Sequence, residues 1–149
     1  MESLFDSQGN QKVINRIEQL TPITFSQWGK MTVSQMMAHC QQPIKVPFGM
    51  LQLKPTWMSF FFGKSVKKQM MNQQSFRKDL PTVKEFRIEG EPDFEKTKQE
   101  LIELVERFAK EGHASIKVTK HPFFGEMTFE EWDALQWKHL DHHLRQFGV

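Results

Sequence analysis

Six histidines punctuate the chain, and three of them, His139, His142 and His143, fall within five residues near its end. His139 and His143 are spaced i, i+4. On a helix that spacing projects both imidazoles from one face, one turn apart, where they can grip a single cation. With Trp132 as the origin of a helical wheel, His139 and His143 fall at roughly 340° and roughly 20°, beside Trp132 and Gln136. Phe129, Trp137, Leu140, Leu144 and Phe147 fall between roughly 60° and roughly 140°, so the histidines share the buried side. His142 lies at its edge. Lys138, Asp141 and Arg145 take the opposite arc, which is expected to face solvent.

Two ligands are too few for a firm site. The natural third is His39, three residues after Met36 and so on the apolar side of an earlier helix. Three neutral imidazoles on one divalent ion leave positions open for water or substrate, as a catalytic site requires and a closed structural site does not. The competing reading makes His139 and His143 packing groups of the core that satisfy Gln35 or Gln136. His113 and His121 fall in a loop, where a polar residue is ordinary. The run His121-Pro122-Phe123-Phe124-Gly125 is nevertheless placed to fold over the end at which the other histidines point. Cys40 follows His39 directly, about 100° around the helix, and reads as a buried structural thiol. There is no tyrosine, so no phenol serves as acid, base or ligand. The second helix carries no carboxylate and Asp141 points away, so no general base is assigned.

Helices must position these residues. Val13, Ile14, Ile17 and Leu20 form a helical stripe over Asn10 to Leu20, stopped by Thr21-Pro22. Thr32-Val33-Ser34-Gln35 is a capping box opening the second helix, which Pro43 and Pro47 limit or kink. Pro92 to Gly112 is the clearest helix, with Phe94, Leu101, Leu104, Val105 and Phe108 on one side and Gly112 as its stop. Thr128-Phe129-Glu130-Glu131 opens the last, which runs to about Phe147. Asp79 to Gly90 reads as an extended connection, and Ala114 to Thr119 as β-prone with no partner strand. Four helical segments predict an all-α fold, an antiparallel helix bundle with a long excursion between helices two and three.

That excursion, Phe48 to Lys78, is too long and too apolar for an ordinary solvated loop. Its core, Trp57 to Phe62, needs a cover. Packing over the histidine cluster or against a second subunit is favoured, which places Lys64, Lys67 and Lys68 at the pocket rim and suits an anionic or thiol-bearing small-molecule substrate. Docking on a membrane surface is the less favoured alternative.

At 149 residues the chain is expected to be a single domain, 1–149. One cysteine excludes an intramolecular disulfide and fits a reducing, cytoplasmic setting. The first ten residues carry two acids and no apolar core, so no signal peptide is expected, and no apolar run has the length of a membrane span. The net charge is +2, yet Gln19 to Lys78 contains eight basic residues and no acidic one. The basics are spread thinly and form no nucleic-acid-binding motif.

The run Trp28-Gly29-Lys30-Met31-Thr32-Val33-Ser34-Gln35-Met36-Met37-Ala38-His39, the run His139-Leu140-Asp141-His142-His143-Leu144-Arg145-Gln146 and the lead-in His121 to Thr128 resemble the DinB/YfiT-like metalloenzyme family, in its second-helix opening and its last-helix H-x-x-x-H-R-x-Q signature. The order of elements matches over most of the chain. Leu144 stands where that signature has Arg, and Arg145 follows one position late. The resemblance implies an up-down-down-up four-helix bundle, often a homodimer. It also implies a divalent metal, commonly nickel or zinc, on His39, His139 and His143. Characterised members include thiol-dependent transferases and isomerases. The expected function is therefore that of a metal-dependent transferase or hydrolase. The alternative is a non-catalytic binding module whose pocket, lined by Met36, Met37 and Trp132, holds an apolar ligand or a partner protein, with any metal incidental.

Overall fold

The computed structural model describes residues 2–78 and 81–149. Met1, and Asp79 and Leu80 of the expected extended connection, lie outside the described residues. The described residues are all-α apart from one short hairpin. Its helices are α1 (Ser7–Glu18), α2 (Val33–Lys45), α3 (Trp57–Asn72), α4 (Phe94–Glu111) and α5 (Phe129–Gln146). Among the described residues five α-helices stand where four were expected, because the excursion after α2 is itself largely helical.

The helix starts follow from local chemistry. Thr32, Thr56 and Thr128 each accept a hydrogen bond from the third helical residue, and Gln35, Ser59 and Glu131 reciprocate. Each box satisfies two backbone donors that a helix end would otherwise leave unpaired. Asp6 and Asp93 cap α1 and α4 with their carboxylates. Gly112 ends α4 at φ 58°, in the left-handed region where glycine is favoured. Pro43 does not stop α2, which continues two residues further to Lys45.

α1, α2, α4 and α5 pack in a ring. α4 lies against both α1 and α2, and α5 closes the other side against the same two. Val13 and Ile17, Met36 and Met37, Leu101, Val105 and Phe108, and Trp132, Leu140 and Leu144 meet at the centre, all essentially without solvent contact. Burying an aliphatic or aromatic side chain of this size contributes about 1.5–3 kcal/mol. The buried Asn10 amide joins α1 to α4 by donating to the carbonyls of Leu4 and Val105, both at 2.7 Å. Arg16 of α1 pairs with Asp141 of α5 at 2.9 Å.

α3 stands outside this ring and packs on α5. Trp57, Met58, Phe60, Phe61 and Phe62 are between 56% and 86% exposed, and Gly63 is the one buried residue of the helix. A Cβ at Gly63 would collide with the Phe123 carbonyl, so the glycine lets α3 lie directly on the hairpin chain. The aromatic run therefore does not cover the histidine cluster. The C-terminal half of α3 does the packing, and it buries Lys138. That lysine, expected in solvent, donates to the carbonyls of Met70 and Met71 at 3.0 and 2.8 Å and so caps α3. A wheel drawn for α5 alone does not contain the helix that lands on its polar arc.

Between α4 and α5, Gly112–Ser115 forms a 3-10 turn, and Lys117 and Val118 donate to the Pro47 carbonyl. A hairpin follows, β1 (Lys120–His121) antiparallel to β2 (Gly125–Glu126). The expected β-prone stretch lies just before β1, whose partner is four residues further on.

Candidate metal centre

His39 projects from the middle of α2, and His139 and His143 project one turn apart from α5. Because α2 and α5 pack together, the three imidazoles meet. Each offers a ring nitrogen, and the three nitrogens lie within 4.8 Å of one another. The ring centroids of His143 lie 4.7 Å from His39 and 4.6 Å from His139. His39 Nε2 stands 3.1 Å from His139 Nε2.

The surroundings fix which nitrogen carries the proton. His39 Nδ1 lies 2.8 Å from the Phe86 carbonyl oxygen, an acceptor only, so Nδ1 is the donor and Nε2 keeps its lone pair. Gln146 Nε2 donates to the Trp28 carbonyl at 2.7 Å, which turns the amide oxygen toward His143 Nδ1 at 2.7 Å. His143 therefore also carries its proton on Nδ1 and presents a bare Nε2. A second-sphere acceptor on the far nitrogen is the usual device for orienting a ligating histidine. His139 differs: its Nδ1 is buried with no partner among the described residues.

Burial keeps these rings neutral. It lowers His39 below the ordinary imidazole range and, with nearby His39 and His142, pushes His143 down to about 3. His139 falls well below its ordinary value, first by burial and then by its histidine neighbours. The donor set fits a divalent ion. Nitrogens each about 2.0–2.1 Å from one ion and cis to one another are separated by roughly 2.9–3.5 Å, and the His39–His139 pair falls in that window. Neutral ligands also bind without releasing a proton.

The cluster forms part of the wall of a cavity of about 740 Å³, bordered by Trp28 to Met31, Pro81 to Val83, Phe86 to Ile88, Val66 and Met70 of α3, Phe76 and the hairpin aromatics Phe123 and Phe124. His121 and His142 also line it. His121 is buried, accepts on Nδ1 from the Phe123 and Phe124 amides at 3.0 and 3.3 Å, and stacks on Phe124. The hairpin therefore does fold over the histidine end. His113 lies elsewhere, stacked on Phe129 with a centroid separation of 4.3 Å. Cys40 is buried with Sγ 3.7 Å from Met36 Sδ, and burial raises its pKa.

Three expectations are corrected. Met36, Met37 and Trp132 are fully buried core residues and do not line the cavity. Lys64, Lys67 and Lys68 border a separate depression, where Lys67 pairs with Glu131 at 2.7 Å. The cations of the main cavity are Lys30, Arg77 and Arg87. The partner of His143 is Gln146, while Gln35 donates to the Gly90 carbonyl and Gln136 to that of Pro43.

The family model described as Protein of unknown function (DUF1569) matches residues 2–148. The chain belongs to the DUF1569 family. Comparison with curated proteins and with solved structures gives no match.

Sequence reasoning missed two parts of this DUF1569 site. Gly29, at φ 80°, would place a Cβ 2.6 Å from Gln146 Nε2, so its lack of a side chain lets the Trp28 carbonyl reach that amide. The Trp-Gly-Lys turn was its only signal. The Phe86 carbonyl, like any backbone acceptor, leaves none.

Proposed function

We propose that this DUF1569 chain is a divalent-metal enzyme, a transferase or hydrolase acting on a small anionic or thiol-bearing substrate, with His39, His139 and His143 as ligands to nickel or zinc. The observation that carries the reading is the convergence of three neutral imidazoles on a cavity wall, two of them with Nδ1 held as the donor. When bound, such an ion polarises a substrate oxygen or brings the pKa of a bound water or thiol toward neutrality. The Phe86 carbonyl and Gln146 hold the ligand rings in place. Trp28, Phe76 and the hairpin restrict water. Lys30, Arg77 and Arg87 give the wall its positive charge, and no Asp or Glu lines the cavity among the described residues.

The arrangement proposed is the DinB/YfiT-like four-helix bundle, up-down-down-up, built from α1, α2, α4 and α5, with α3 in the excursion. The ring of helix pairings and the outlying position of α3 support it. A homodimer in the cytoplasm completes the reading. The exposed aromatic run of α3 supports a self-complementary contact, and the single buried cysteine suits a reducing compartment. No helix of the described residues is long and apolar enough to cross a membrane.

A binding module without turnover is the second reading, favoured by the mainly apolar cavity wall. Thiol-transfer and ester-hydrolysis screens on chelator-stripped and metal-reloaded protein separate the two. Turnover that disappears with the metal and returns with it supports the enzyme; saturable binding of an apolar ligand, with no turnover in either state, supports the module.

A further inference from the structure

The wall of the main cavity has a charge pattern that the metal cluster does not explain. Three chain segments approach the histidines, and each places a cation on the cavity wall beside its point of contact. Phe86, whose carbonyl holds His39, is followed by Arg87. Phe76, with ring centroids 6.2 Å from both His139 and His142, is followed by Arg77. Trp28, whose carbonyl holds Gln146, is followed by Gly29 and Lys30. None of the three cations makes an ion pair among the described residues, although all are exposed at the cavity margin. Lys78 stands 4.2 Å above the Trp28 ring and fixes that wall by a cation–π contact. Apart from the histidines, Thr82, Gln136 and Gln146, the rest of the lining is mainly aliphatic and aromatic, with Val66, Met70, Phe123, Phe124 and Leu135 among it.

We infer that the cavity takes an amphipathic organic anion: a carboxylate, sulfonate or phosphate head held by Arg77, Arg87 and Lys30, on an apolar body lying against α3 and the hairpin. This rests on the cavity being the substrate site of the reading above, and it narrows the substrate from any small anion to one with an apolar body. Arginine suits such a head because its planar donor fork matches two oxygens at once. The apolar wall disfavours a compact, fully hydrated anion, which would lose water there without gaining contacts.

The test uses the purified 149-residue chain and two dyes that differ by one sulfonate: 1-anilinonaphthalene-8-sulfonate and N-phenyl-1-naphthylamine. Fluorescence titration is expected to give one saturable site that binds the sulfonate at least tenfold more tightly, both as purified and after chelator treatment. Arg77→Gln and Arg87→Gln are each expected to weaken the sulfonate about tenfold while leaving the neutral dye unchanged. Phe60→Ser, on the exposed end of α3, leaves both affinities as they were. Equal affinity for the two dyes overturns the proposal, as does parallel loss of both dyes in the arginine variants. Sulfonate binding lost in Phe60→Ser but kept in the arginine variants also overturns it. Metal content measured on the same samples keeps the two readings apart: dye discrimination without metal sinks only the metal centre, and metal without discrimination sinks only the anion site.

Discussion

Gln146 is the residue that orients the His143 ring. It sits three residues after His143 on α5, and its amide is oriented from the far side by the Trp28 carbonyl. Loss of a second-sphere partner of this kind costs about 10- to 100-fold in metal affinity. Gln146→Leu is therefore expected to keep the fold and still bind a divalent ion, but with affinity lower by that factor in a competitive chelator titration; unchanged affinity would remove Gln146 from the site. The convergence of the three histidines was legible in the sequence, because i, i+4 spacing on an amphipathic helix fixes the shared face of His139 and His143. Their supports were not. A carbonyl such as that of Phe86 is chemically identical at every residue, and only the tertiary path brings it to His39.

At the scale of elements, the helix starts were legible because capping is local: Thr32 with Gln35 and Thr128 with Glu131 fall within one turn of each other. The landing of α3 on α5 was not, since nothing within either helix encodes it, and Lys138 was misplaced for that reason. α3 also presents six large apolar side chains to solvent, more than a monomer surface ordinarily carries in one place. A two-fold contact through this face is expected to make sedimentation report twice the chain mass for the wild type, and the single chain mass for a Phe60→Ser, Phe61→Ser double variant with metal content unaltered. A monomeric wild type that sediments with anionic phospholipid vesicles, and loses that binding in the double variant, would assign the face to a membrane surface instead.

For the molecule as a whole, the all-α class and the meeting of α2 with α5 followed from the sequence, while the hairpin did not: strands of two residues are too short to carry a periodic signal. The hairpin brings His121 under cover, where burial and the charge of Lys67 push its pKa down to about 4. With His143 down to about 3, the folded chain resists protonation that the unfolded chain accepts near pH 6.5. The unfolded state thus binds more protons below that pH. Stability from these groups is full above about pH 6.5 and is lost as pH falls toward 4 and then 3, by up to about 1.4 kcal/mol per pH unit for each histidine. Urea midpoints of chelator-treated protein between pH 7.5 and 4.5 are expected to fall accordingly, with a shallower slope in His121→Gln. A midpoint independent of pH over that range would contradict the neutral, buried state of these rings.

The central claim, that His39, His139 and His143 hold one divalent ion, is tested most directly by elemental analysis of purified wild-type protein beside His39→Ala, His139→Ala, His143→Ala and His113→Ala. One nickel or zinc per chain is predicted in the wild type and in His113→Ala, with near-complete loss in each of the other three while circular dichroism reports the same helix content. A wild type without metal after incubation with either ion, or a folded His39→Ala protein that keeps the full equivalent, would contradict the three-histidine site.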